Sequence, residues 1–77
     1  MVHPQIADAV ASVLEIPHES LTCTSTADDI EQWDSLGHLQ LIMEIEQRFD
    51  VRFHIDQIPK LTSIVAIEDA LRSKGAL

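Results

Sequence analysis

Trp33-Asp34-Ser35-Leu36-Gly37-His38-Leu39-Gln40-Leu41-Ile42-Met43-Glu44-Ile45-Glu46-Gln47-Arg48-Phe49 is the stretch that decides the fold. From Ser35 to Phe49 the apolar residues Leu36, Leu39, Ile42, Met43, Ile45 and Phe49 form one broad helical face, opposed by Gly37, Gln40, Glu44 and Gln47 on a polar stripe. Asp34 and Ser35 stand where an irregular stretch gives way to that pattern, and both residue types are preferred helix caps. The segment reads as an amphipathic helix with a hydroxyl at its mouth.

Upstream, Pro4 suits the first turn of a helix, and Ile6, Val10, Val13 and Leu14 follow at spacings of three and four, one stripe from about residue 4 to 15 that Pro17 ends. Residues 16–34 are rich in Ser, Thr and Asp, with Ile16, Leu21, Ile30 and Trp33 as apolar anchors. This reads as a long loop pinned to the core at intervals, and its length calls for a short helical turn around Ala27 to Glu31 or a functional reason. Downstream, Val51, Phe53 and Ile55 alternate like a strand, but no second strand exists to pair with them, so an extended connection is expected. A short turn near Asp56 to Ile58, interrupted by Pro59, leads to a last helix. Thr62 or Ser63 caps it, Ile64, Ile67, Ala70 and Leu71 face inward, and Gly75 marks its end. Short apolar faces of this kind are stable only when packed together. The expected fold is all-α: a small helical bundle of three main helices plus one short helix, with the long loop between the first and second. Residues 1–77 are read as a single domain.

A chain of 77 residues buries only about 60% of the surface its unfolded form exposes, and an apolar share of 45% is enough for one core. A catalytic pocket of roughly 300–1,000 Å³ would take volume from that core, so a chain this short presents something rather than encloses it. The net charge is −8. Residues 1–47 hold nine of the thirteen acids and neither Lys nor Arg, because all five basic residues lie at Arg48 or later. Such an anionic half argues against nucleic acid and membrane surfaces and favours partners with basic docking surfaces, met briefly and often. Neither a leader nor a membrane span is recognisable, and the lone Cys23 requires no oxidising compartment. A cytoplasmic monomer is expected.

Cys23 has no basic neighbour in sequence to activate it, and His3, His18, His38 and His54 lack metal-site spacing, so neither a reactive thiol nor a bound metal is expected. Ser35 is the residue of interest. As a cap it would be unremarkable, but a helix N-terminus also favours an anion, and a phosphate esterified there would sit in a favourable field.

Taken with its flanks, Asp34-Ser35-Leu36 resembles the acyl carrier protein family. The resemblance runs from about Ile30 to Leu71 through Leu39, Ile42, Met43, Ile45, Glu46, Phe49, Asp50 and Leu61-Thr62-Ser63. It implies a four-helix bundle in which Ser35 carries 4'-phosphopantetheine, donated by coenzyme A through a separate phosphopantetheinyl transferase. The arm's thiol would then carry acyl groups as thioesters between acyl-loading and acyl-consuming enzymes, with no catalytic residue in the carrier itself. Asp34 and Leu36 would lie in the surface those enzymes read. Gln40, Glu44 and Gln47 would be the exposed docking positions of the second helix, and Met43, read first as core, a further apolar contact. Gln40, Gln47 and Arg48 make this helix less acidic than is usual in fatty-acid carriers. Trp33 and His38 also depart from that pattern and look more like carriers of polyketide, peptide or surface-glycan pathways. For Trp33 the expected role is to anchor the loop and order the serine.

Three other functions compete with a freestanding acyl carrier of a specialised pathway. One is an aminoacyl or peptidyl carrier. Another is an unmodified, carrier-like interaction subunit. The last is a small serine hydrolase using Asp34, Ser35 and His38, which would also need an oxyanion hole and a substrate cleft.

Overall fold

Pro4 opens the first helix, α1 (Pro4–Leu14), with its missing N–H at a position that needs none, while the His3 ring accepts from the Gln5 N–H. The computed structural model describes residues 2–77. Helix α1 ends when Glu15 adopts a left-handed conformation (φ 56°), which turns the Ile16 N–H back to the Ala11 carbonyl. Pro17, expected to end the helix, follows two residues after that turn.

The long loop contains two 3₁₀ turns, His18–Ser20 and Ala27–Asp29. The second is where a helical turn was expected. Its chemistry is a capping box: the Thr26 side chain serves the Asp29 end of the turn while the Asp29 carboxylate accepts from the Thr26 N–H and hydroxyl. The loop is also tied to the last helix. The Ala27 N–H donates to the Thr62 carbonyl at 2.8 Å and the Ile64 N–H to the Ser25 carbonyl at 3.0 Å, a one-rung antiparallel bridge between Thr26 and Ser63. That bridge and the buried Ile30 and Trp33 make the loop a fixed wall.

Helix α2 (Ser35–Phe49) is capped by Asp34 and closed by a left-handed Asp50 (φ 53°), which lets the Val51 N–H reach the Glu46 carbonyl. The following chain is extended and forms no sheet. Instead the Phe53 N–H donates to the Glu46 carboxylate at 2.9 Å and the Phe53 ring enters the core, with the Lys74 ammonium 5.4 Å from its centre. A turn at Ile55–Gln57 leads into a third 3₁₀ turn, Ile58–Lys60. Pro59 sits inside this turn rather than breaking it, because an early position in a helical turn has no use for its N–H. Helix α3 (Ile64–Ser73) is capped by the Ser63 hydroxyl, 3.1 Å from the Ala66 N–H. Its end is a Schellman turn at Gly75 (φ 75°), with Ala76 N–H bonded to Leu71 C=O and Gly75 N–H to Arg72 C=O.

The described fold is all-α, three helices and short 3₁₀ turns around one core. Ile6, Ala9, Val10 and Leu14 of α1, Leu41, Ile42 and Ile45 of α2, and Ile64, Ile67 and Leu71 of α3 meet there, joined by Ile30, Trp33, Phe53 and Leu61 from the connections.

Helix α2 departs from the sequence pattern. Leu36, Leu39 and Met43 were placed on the apolar face, yet they are 66%, 53% and 61% exposed, and Gly37, assigned to the polar stripe, is buried. The helix is turned by about one residue's rotation, roughly 100°, from the expected orientation. The reason is Gly37: a Cβ there would lie 2.5 Å from the Gln32 carbonyl oxygen and 3.1 Å from Leu14, so the helix packs against α1 and the loop through its bare backbone. Gly37, Leu41 and Ile45, four apart, become the inward seam. Phe49 is half-buried and stays on the core side.

Candidate functional site

The Asp34 carboxylate accepts from the Gly37 N–H at 2.8 Å, and the Asp34 carbonyl takes the His38 N–H at 2.8 Å. The chain enters α2 in one conformation as a result. Ser35 is the first helical residue and is exposed; none of the side-chain hydrogen bonds among the described residues engages its hydroxyl. The hydroxyl therefore stands in solvent at the positive end of a helix of 15 residues.

Beside it opens a cleft of about 290 Å³ lined by Ala27, Trp33, Asp34, Ser35, His38 and Thr62. The loop, the start of α2 and the approach to α3 each contribute a wall, which the Thr26–Ser63 bridge holds in register. Trp33 is only 4% exposed. Its indole N–H donates to His38 Nδ1 at 2.9 Å, and the rings lie nearly parallel with centroids 6.3 Å apart. His38 Nε2 is 2.7 Å from the Ile58 carbonyl. An indole can only donate, so Nδ1 accepts, the ring proton sits on Nε2, and Nε2–H donates to Ile58. Trp33, His38 and Ile58 thus form a clasp across loop, helix and turn. The anchoring role expected of Trp33 is its observed one.

The clasp decides against a hydrolase. Both His38 nitrogens are committed to other partners, leaving none to take a proton from Ser35. The Asp34 carboxylate caps Gly37 rather than orienting the imidazole. Three residues of suitable type share one helical turn without forming a relay.

Along the outer face of α2, Leu36, Gln40, Met43 and Gln47 follow at spacings of four, three and four, and all are exposed. Met43 was read first as core; the rotation of the helix puts it outside. Glu44 flanks this stripe, half-buried, its carboxylate 2.6 Å from Arg48 Nε. Asp34 and Leu36 border a second hollow of about 240 Å³ against α1, and Met43 and Gln47 a third of about 440 Å³ at the far end of the helix. Cys23 is exposed in the loop. Sequence reasoning missed the inward position of Gly37 and the parts played by Ala27, Thr62 and Ile58. The bridge and the clasp join positions 37 and 20 residues apart, which no local pattern announces.

The model of the phosphopantetheine attachment site family matches residues 4–71, nearly the whole described chain, from the start of α1 into the last turns of α3. This chain belongs to that family. The carrier is also similar to an acyl carrier protein of Bdellovibrio bacteriovorus, with 24% identity over 74 residues, 96% of this chain and 95% of the relative. Members of the family are carriers rather than catalysts, and the cofactor is a covalently attached 4'-phosphopantetheine. They work with phosphopantetheinyl transferases and with the enzymes that load and consume acyl groups. Among the carrier's described residues no helix is long and apolar enough to cross a membrane.

Proposed function

We propose that this chain is an acyl carrier whose Ser35 hydroxyl is the attachment point of 4'-phosphopantetheine, donated by coenzyme A, and that it serves a specialised biosynthetic pathway. The observation that carries the assignment is the exposed, unengaged Ser35 hydroxyl at the N-terminus of α2, fixed by the Asp34 cap. A phosphodiester at that place would gain from the helix dipole and would not disturb a buried contact. When bound, the arm supplies a flexible thiol that carries acyl groups as thioesters. The protein holds the attachment point rigid: Asp34 sets the entry angle, Gly37 seats the helix, and Trp33 and His38 tie its first turns to the bundle.

Partner enzymes with basic docking surfaces would meet Asp34, Leu36, Gln40, Met43, Glu44 and Gln47. Exposed apolar side chains among the polar residues of the outer face of α2, inside a half-chain that carries neither Lys nor Arg before Arg48, support this reading. Trp33 and His38 beside the serine, with Gln40, Gln47 and Arg48 on the helix, support a dedicated set of partners over generic fatty-acid synthesis.

Incubation with a broad-specificity phosphopantetheinyl transferase, magnesium and coenzyme A is expected to add the mass of one arm to the wild type and none to Ser35→Ala. Equal modification of both proteins would place the attachment elsewhere.

A further inference from the structure

Resting on Ser35 as the attachment point, we propose that the Trp33–His38–Ile58 clasp bars the bundle interior to the cargo, so that this carrier keeps acyl groups of every length outside its core, in solvent, and the open cleft beside the serine receives only the inner part of the arm. The cleft touches Ser35 directly, and two of its six lining residues, Trp33 and His38, are the clasp itself. At roughly 30 Å³ for each water-sized group, about 290 Å³ takes about ten such groups. The phosphate, pantoate, β-alanine and cysteamine parts of the arm together need more room than that, so the acyl group at the far end of the arm lies outside the cleft.

Behind the cleft the interior is filled. Leu41, Ile42, Leu61 and Ile64 are between 0% and 4% exposed, and Trp33 belongs to the same cluster. A chain passing from Ser35 between α2 and α3 must separate His38 on α2 from the Ile58–Lys60 turn, breaking the 2.7 Å bond to the Ile58 carbonyl. It must also lift the indole and leave its N–H without an acceptor. A buried polar group stripped of its partner opposes that movement as strongly as the lost packing does. Ala27 and Thr62 are fixed by the bridge to Ser63, so the other side of the cleft cannot yield independently. Trp33 and His38 are therefore specificity-determining residues: they set how far a cargo reaches.

The test loads the full chain with acetyl, butyryl, octanoyl and dodecanoyl arms from the corresponding coenzyme A thioesters. Intact mass first verifies one acyl arm per molecule, lost in Ser35→Ala; failure at this stage is failure of the attachment site, not of the clasp. Thermal unfolding and Trp33 emission are then followed for each species. The wild type is expected to show midpoints within about 2 °C of one another and an unchanged emission maximum, because cargo in solvent adds no buried surface. A midpoint that climbs with chain length, by roughly 3–6 °C for each methylene buried, overturns the proposal. In Trp33→Leu, or in His38→Ala if the former does not fold, the midpoint is expected to become dependent on chain length. A flat response in a folded clasp variant would show that something other than the clasp excludes the chain, and would overturn the role given to these two residues.

Discussion

Helix α2 has two faces that do opposite things with the same apolar residue types. Gly37, Leu41 and Ile45 point inward and are fully packed, whereas Leu36, Leu39 and Met43 are more than half exposed. The inward face has no freedom, since its rotation is set by a backbone approach at Gly37 that no side chain could share. The outward face carries the residues proposed to meet partners. Rigid seating on one side keeps the Ser35 hydroxyl in one place relative to the proposed apolar contacts on the other, which a docking enzyme would require to reach an arm attached there.

The largest effect is expected from two leucines only two residues apart. Leu41→Ala removes a side chain that is 0% exposed and should cost about 2–5 kcal/mol in denaturant unfolding, a large share of the roughly 4–12 kcal/mol expected for a chain of this size. Leu39→Ala should fall within about 0.5 kcal/mol of wild type. Similar losses at both positions would mean that the two faces are not distinct. Next comes Gly37→Ala. The added methyl meets the Gln32 carbonyl, a backbone group that cannot rotate away, so overpacking of about 1–3 kcal/mol should outweigh the gain in helix propensity, about 1 kcal/mol at most. A more stable Gly37→Ala protein would show that the rotation of α2 has another cause.

Much of the bundle could be read from spacing alone. Ile6, Val10 and Leu14 mark α1 and Ile64, Ile67 and Leu71 mark α3, because apolar residues at helical intervals are a local signal, and the pairs Asp34-Ser35 and Thr62-Ser63 mark two helix starts, of which Asp34 and Ser63 are the caps. The rotation of α2 was not readable. Leu36, Leu39, Leu41, Ile42, Met43 and Ile45 cover so much of its circumference that periodicity admits more than one inward face, and only the tertiary contact of Gly37 selects among them. The same holds at the site. The place of Ser35 at the mouth of α2 was legible from the helical pattern that follows it, and the Trp33 anchor from the loop's need for one, but the acceptor that fixes the His38 tautomer lies on the Ile58 carbonyl across the fold. Pro59 misled in the other direction, since a proline that breaks long helices fits readily into a 3₁₀ turn.

Between the faces sits Asp34, whose carboxylate has both a structural and a proposed recognition role, and two substitutions separate them. Asp34→Ala loses the cap on Gly37 and should cost about 1 kcal/mol, within the usual range of about 0.5–2. Asp34→Asn keeps an acceptor of the same shape and should retain nearly all the stability, while removing the charge that a basic transferase surface would meet. Slower modification of Asp34→Asn at unchanged stability is the expected result, read by mass spectrometry beside an unfolding curve. Modification at the wild-type rate would remove Asp34 from the proposed docking surface.

The smallest effect tests the outward face where it turns acidic. Glu44 and Arg48 are four residues apart with the acid on the N-terminal side, the favourable order, and their side chains are 33% and 34% exposed. Such a pair contributes about 0.3–0.5 kcal/mol and weakens with added salt, so Glu44→Ala should barely move the unfolding midpoint. Arg48→Ala should cost slightly more, because a cation in the last turn also complements the helix dipole. Their effects on docking should have opposite signs. Without Arg48 the Glu44 carboxylate is released toward a basic partner and association should quicken at low salt; without Glu44 it should slow. If both substitutions slow association equally, the guanidinium is itself a contact, and the partner surface at this end of α2 is acidic or mixed rather than basic.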